Sequence, residues 1–335
     1  MREYSKVSVP LPSIVAPVCS PEQARRAIAA GANELYCGIL TGEWVKRYGD
    51  GETISRRQGR LAHVGGMDEL AAIARIGADA ACAIALTLNS RQAAGGDREV
   101  VRLAGLWEEM GGTAVMAADI GLLLALRKRN SRLKRHLSVL TGVFNSRSAE
   151  FFAGLGVARI VLPRELTIAE MRDLTAGAPA LEYEALAMYQ KCRFIDGMCG
   201  FHHGARLPSD VPAAFEYCDV PGESMPVVWS CDPDYEGHAC QLAWSTESGL
   251  VAPSAGDDTA APYCAACQLR ALEEAGVSFL KLAGRGYPAE AIERAIGFLL
   301  RAATRQGDAA EIRRLYAQTF GSRCEGSRCY YACGS

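Results

Sequence analysis

Apolar positions along the chain fall into two kinds of run that take turns. Short runs rich in Val, Ile, Leu and Ala are SIVAPV from Ser13 to Val18, NELYCGI from Asn33 to Ile39 and ACAIALTLN from Ala81 to Asn89. Five more follow: TAVMAA (113–118), HLSVLTG (136–142), RIVLP (159–163), ALEYEALAM (180–188) and VSFLKLAG (277–284). Such runs read as strands buried on both faces, where apolar side chains need not alternate with polar ones. Between them lie longer runs of helical period, among them PEQARRAIAAG, REVVRLAGLWEEMG, SRSAEFFAGLG and PAEAIERAIGFLLRAAT. Most of these end in Gly, the residue that takes a left-handed helix cap without steric cost.

Eight strand signals with helices between them predict an α/β fold, a TIM-like (β/α)8 barrel. No phosphate-type glycine fingerprint follows the first strand, which argues against an open doubly wound sheet. The predicted organisation is strands 1 to 7 over residues 1–189, a Cys-rich insertion over 190–265, the last strand and its helices over 266–320, and a Cys-rich tail over 321–335. The insertion leaves the C-terminal end of the seventh strand, the face where barrels carry their chemistry.

Composition adds a globular enzyme of ordinary apolar content, with net charge −2 and pI near 6.3. The one basic run, RKRNSRLKRH from Arg127 to His136, joins a helix to a strand and reads as a solvated helix end, so nucleic acid is unsupported, though not excluded. No stretch of about 18 apolar residues exists, and the N-terminus has no secretory pattern, which predicts a cytoplasmic protein with no membrane span. Thirteen cysteines in a reducing compartment, an odd number, argue for metal or redox chemistry over disulfides.

The densest donor stretch is KCRFIDGMCGFHHG, with Cys192, Cys199, His202 and His203. Cys218, Cys231, Cys240, Cys264 and Cys267 follow within the insertion and just beyond it, and the tail adds Cys324, Cys329 and Cys333. Cys264 and Cys267 make a C-x2-C pair, a zinc or dithiol spacing, while Cys19, Cys37 and Cys82 read as small core residues. His202 is a candidate for acid-base work near neutral pH. Asp119, Asn145, Arg164, Glu165, Lys281 and Arg285 fall at predicted strand ends and compose a candidate polar ring at the barrel mouth, in which Arg164 and Arg285 are placed to clamp a carboxylate. Glu184 is expected to hydrogen-bond the insertion.

These residues resemble the collagenase-like peptidase family, the thirty-second family of unassigned catalytic type. Glu184, Cys192, Gly197 and Cys199 hold the spacing of its signature, with Leu186 in place of an aromatic residue, Tyr189 and Gln190 in place of a small pair, and His202 near the usual Ser. The stretches around Cys19, Asp119, Asn145, Arg164, Glu165, Lys281, Gly284 and Arg285 also match family patterns, so the resemblance spans residues 13 to 300. It implies a 4Fe-4S cluster held by Cys192, Cys199, Cys218 and Cys264, with Cys231 and Cys240 as rivals for the third place.

The resemblance further implies oxygen-independent hydroxylation, prephenate as hydroxyl donor, and pairing with a related barrel protein. Four thiolates suit a cluster or zinc equally in number, and the six-residue gap between Cys192 and Cys199 exceeds that of a zinc knuckle, which favours the cluster. The near-neutral charge favours an aromatic or quinone-like small molecule as substrate, with an RNA base as the nearest alternative. A peptidase, as the family name suggests, is the third reading, yet neither H-E-x-x-H nor G-x-S-x-G occurs.

Overall fold

The computed structural model describes residues 12–48, 54–55, 60–91, 96–189, 191, 196–198, 261–324 and 326–331, together with the strand backbones within 215–251. Seven parallel strands run in chain order: β1 (Ser13–Pro17), β2 (Glu34–Cys37), β3 (Ala83–Leu88), β4 (Ala114–Ala117), β5 (Lys134–Leu137), β6 (Arg159–Val161) and β7 (Glu182–Tyr189). Four antiparallel strands, β8 (Phe215–Val220), β9 (Glu223–Trp229), β10 (Leu242–Thr246) and β11 (Gly249–Val251), compose a separate small sheet in the insertion. They are followed by β12 (Tyr263–Cys264) and β13 (Phe279–Leu282). β13 lies between β7 and β1, and β6 pairs with β7, so β1 to β7 and β13 close into an eight-stranded parallel barrel.

Helices α1 (Pro21–Ala29), α2 (Gly42–Tyr48), α3 (Met67–Asp79), α4 (Gly96–Glu109), α5 (Ile120–Lys128), α6 (Ser146–Gly154) and α7 (Ile168–Gly177) follow the first six strands. After the insertion come α8 (Leu269–Glu274), α9 (Ala289–Ala303) and α10 (Ala309–Phe320). The main apolar core fills the layer between strands and helices, while a smaller cluster of Val15, Tyr36, Ala85 and Ala114, with Phe279 against it, lines the barrel interior. Val15, Ala85 and Ala114 are small, and the charged side chains described below share this interior with Tyr36 and Phe279.

The (β/α)8 expectation holds, with local differences. The fifth strand starts at Lys134 and stops at Leu137, where 136–142 was expected. Ser138 caps a short 3-10 turn over Val139–Thr141, and Gly142 closes it in the left-handed region, so hydrogen bonds of the turn replace a strand ladder there. The basic run stands at the N-terminal end of β5, opposite the C-terminal rim, with Arg127, Lys128, Arg129, Arg132 and Lys134 exposed. Among the described residues no helix is long and apolar enough to cross a membrane.

Candidate functional site

The first and third residues of a strand point to one face, and in this barrel that face carries charge. Glu34, Arg159 and Glu182 open β2, β6 and β7. Arg159, 1% exposed, donates to Glu34 Oε2 at 2.6 Å, to Glu182 Oε2 at 2.9 Å and to Glu184 Oε2 at 3.2 Å, and its guanidinium stacks 3.2 Å from the Phe279 ring centroid. Tyr36, Met116, His136, Glu184 and Lys281 are the third residues of their strands. Lys281 Nζ donates to Glu184 Oε1 at 2.7 Å and lies 3.9 Å from the Tyr36 ring centroid.

Two expectations change here. Lys281 is a mid-strand residue inside the barrel, one turn of the pleat below the rim, and so not part of the mouth. Glu184 bonds Lys281 and Arg159 inside the barrel, where a bond to the insertion was expected. Burial alone would raise the Glu184 carboxyl, but the Lys281 and Arg159 charges outweigh it and hold it below the ordinary range.

His136, buried beside this group, is pushed down to about 3, first by burial and then by the Arg159 charge. Its Nε2 is buried with no hydrogen-bond partner among the described residues. An imidazole held neutral when folded but free to protonate when unfolded destabilises the fold as pH drops below about 6.5, by up to ~1.4 kcal/mol per pH unit, until its folded value is reached. Urea denaturation of His136→Leu is therefore expected to show a flatter loss of stability between about pH 6 and pH 4 than the parent. Equal slopes would remove His136 as the cause.

At the C-terminal rim, Arg285 follows β13 and is buried. It donates to Ser55 Oγ at 2.9 Å, to the Ser55 carbonyl at 3.1 Å and to Thr87 Oγ1 at 3.0 Å. Gly38 makes this possible, since a Cβ there would collide with the Arg285 guanidinium. Asn89 donates to Ser138 Oγ at 3.0 Å, while its Oδ1 and the Thr141 Oγ1 are buried without a hydrogen-bond partner among the described residues.

Arg164 is committed differently from the clamp expected of it. Its Nε donates to Asp196 Oδ2 at 2.8 Å, its Nη2 to Asp196 Oδ1, and its backbone N–H also to Asp196 at 3.0 Å. Asp196 thus fixes the signature segment onto the loop after β6. The next residue, Gly197, has φ +82° and lies against the Gly142 backbone, with no room for a Cβ. Glu165, beside this pair, is raised by desolvation of its carboxylate and by the Asp196 charge.

Asp119 and Asn145 are helix caps: each accepts from a backbone N–H three residues on, Leu122 at 3.1 Å and Ser148 at 2.9 Å. Sequence reasoning missed Arg159, Asp196, Ser55 and Thr87. For Arg159 a signal existed, a lone charge opening the apolar run RIVLP, where it must find partners inside.

Among the described residues the cysteines are all thiols. Cys19, Cys37 and Cys82 are buried, and burial raises Cys37 to about 12 and Cys82 to about 11. Cys264 sits where β7 outruns β6: β12 pairs with the end of β7, placing Cys264 opposite Met188 on the rim. Its thiol is raised by burial and then by the neighbouring Cys324, Cys267 and Cys329 sulfurs. Soft donors around a rim position fit a thiolate-bound metal in chemical type. Cys192, Cys199, His202, Cys231, Cys240 and Cys333 lie outside the described residues, and for Cys218 only the β8 backbone is described.

A closed parallel barrel with a polar, thiol-bearing C-terminal rim defines the class of protein. The sequence model for peptidase family U32 matches residues 19–206, more than half of the chain, and the chain belongs to that family. Among curated relatives, tRNA hydroxylation protein P of Escherichia coli is 30% identical over 91 residues, 27% of this chain and 20% of that protein. The Haemophilus influenzae protein of the same description is 29% identical over 86 residues, 26% of this chain and 19% of its own. The matched stretch thus spans about a fifth of the length of these relatives. A solved U32 peptidase shares 15% identity at a TM-score of 0.42, covering 56% of this chain and 72% of its own.

Proposed function

We propose that the chain takes part in oxygen-independent hydroxylation of a base in RNA, with an iron-sulfur cluster as cofactor. The observation that carries this reading is the local similarity to two tRNA hydroxylation proteins within a chain of family U32. The proposed ligands are Cys192, Cys199, Cys218 and Cys264, with Cys231 and Cys240 as rivals for the place of Cys218. A bound cluster would supply one-electron redox chemistry.

The protein's own groups supply positioning. Arg285, seated by Ser55 and Thr87, is the proposed anchor for the carboxylate of a prephenate-type hydroxyl donor. The buried Asn89 Oδ1 and Thr141 Oγ1 offer acceptor and hydroxyl functions to a polar ligand at the same rim. Any RNA at this rim would lie away from the basic run at the other end of the barrel.

The test uses full-length chain purified without oxygen, assayed for iron, sulfide and absorbance near 400 nm. It is then incubated with prephenate and either unmodified tRNA or a quinone-like phenol. Nucleoside mass spectrometry is expected to show an added oxygen on tRNA. Oxygen added only to the phenol would replace RNA by a small aromatic substrate, and product from neither would end the hydroxylase reading. Arg285→Ala is expected to lower turnover at limiting prephenate by about 30- to 160-fold, the effect of losing a charged hydrogen bond of ~2–3 kcal/mol, with Arg285→Lys in between. Unchanged turnover and donor affinity would remove Arg285 from donor binding.

A further inference from the structure

The chain leaves the barrel after β7 and returns to it at β12, where Tyr263 pairs with Tyr189 and Cys264 with Met188. The exit is held in a strained form. Tyr189 has φ +75°, a left-handed backbone that a bulky residue adopts only when its surroundings impose it. Its hydroxyl donates to the Ala291 carbonyl on α9, and its ring stands edge-on to Tyr287 at 5.0 Å between centroids. Just beyond it stands Lys191, the sequence neighbour of the first signature cysteine, Cys192.

Exit and return are both gripped by the segment after α10. A short 3-10 turn, Gly326–Arg328, leads into Cys329, which bridges Cys264 in parallel, and the Tyr330 N–H donates to the Cys264 carbonyl at 3.0 Å. Tyr330 and Tyr331 are buried, and their hydroxyls donate to the carbonyls of Met188 and Leu186 on β7, at 3.2 and 3.0 Å. Gln268 Nε2 donates to the Tyr331 carbonyl at 2.8 Å, and Arg328 donates to the Ala261 carbonyl ahead of β12. On the exit side, Lys191 Nζ donates to the carbonyls of Cys329 and Tyr330, at 3.2 and 2.6 Å. The gripping residues all lie outside residues 19–206, the part that carries the family match.

We propose that residues 328–331 are a strap that positions two of the proposed cluster ligands together, Cys264 by backbone pairing and Cys192 through Lys191 beside it. This rests on the cluster reading above. Ligands drawn from positions 192 and 264 must converge, and the entropy lost in ordering them weakens binding unless a preformed frame already holds the chain at both places. The strap is such a frame. An ammonium shared by two carbonyls makes charge-assisted hydrogen bonds, the stronger kind, and a buried tyrosine hydroxyl must keep its acceptor. Lys191, Tyr330 and Tyr331 are therefore positioning residues, which hold the backbone that carries the thiols.

Iron-free full-length chain is treated with an alkylating reagent at fixed pH, and modification of each cysteine is followed by peptide mass spectrometry in the parent, Lys191→Met, Lys191→Arg and Tyr330→Phe/Tyr331→Phe. Cys264, 6% exposed, is expected to react about 10-fold or more faster in Lys191→Met and in the tyrosine variant, the effect of releasing hydrogen bonds that hold the strap closed. Lys191→Arg keeps the charge and the donors, and is expected to restore protection. Cys37, buried on β2, is the control for general loosening and is expected to keep its parent rate. The same proteins reconstituted with iron and sulfide are expected to lose iron to a chelator several-fold faster wherever Cys264 reacts faster. Parent-like protection of Cys264 in both Lys191→Met and the tyrosine variant, equal acceleration of Cys37, or iron held as firmly as in the parent despite a faster Cys264 would each overturn the strap. A parent that takes up no iron, with Cys264 still released in the variants, would instead end the cluster reading and uphold the strap as the clasp of this rim.

Discussion

Glu184→Gln is expected to destabilise the protein by about 3–5 kcal/mol, the cost of leaving a buried charge without its partner. Glu184 is fully buried and accepts from both Lys281 at 2.7 Å and Arg159 at 3.2 Å. Removing its charge leaves Arg159 with Glu34 and Glu182, but takes from Lys281, which is 7% exposed, the one carboxylate that pairs with its ammonium among the described residues. Lys281→Met in the same background removes the stranded charge, so the double variant is expected to be more stable than Glu184→Gln alone. A cycle of the two single variants and the double, by urea denaturation, reads their coupling directly. Additive effects would show that Glu184 and Lys281 do not act as a pair.

The pH dependence separates this pair from His136. The Glu184 carboxyl is held below its ordinary value when folded. Its contribution is therefore complete above the unfolded carboxyl value of about 4.3 and is lost as pH falls through the folded value. The His136 effect instead begins near pH 6.5. Glu184→Gln should thus lower stability by the same amount at pH 6 and pH 8, while His136→Leu changes the slope between about pH 6 and pH 4.

The barrel was legible because its strands are covered on both faces and leave uninterrupted apolar runs such as IVLP and AIALTL. Alternation says little about which way a residue points when both neighbours are apolar, and this is why Lys281 was placed one level too high. Arg159 and Glu34 look unremarkable singly, since they are 125 positions apart and only closure of the barrel makes them partners. Asp119 and Asn145 stand where mouth residues and helix caps coincide, and their side chains show capping bonds. Each tail cysteine had a visible spacing, but nothing local relates Cys329 to Cys264; that relation depends on the path of the chain after α10.

Gly197→Ala is expected to detach the signature segment from the rim and to abolish retention of the iron of the proposed cluster, with little effect on the barrel itself. Gly197 has φ +82°, a conformation that costs an L side chain about 1–2 kcal/mol. A Cβ at this position would also stand 2.6 Å from the Gly142 N and Cα atoms, which are backbone and cannot rotate aside. Gly142 in turn is held by the turn that Ser138 caps, so the clash is resolved by moving the segment outward, which pulls Asp196 from the two-pronged Arg164 contact. Arg164→Ala removes the same anchor from the other side without the backbone clash, and is expected to weaken iron retention several-fold less completely. Iron counts on the two variants, with thermal unfolding of the barrel as the control, check the ordering. Full iron in Gly197→Ala would mean that the glycine of the signature serves the turn of its own segment and that the proposed cluster does not depend on this seating.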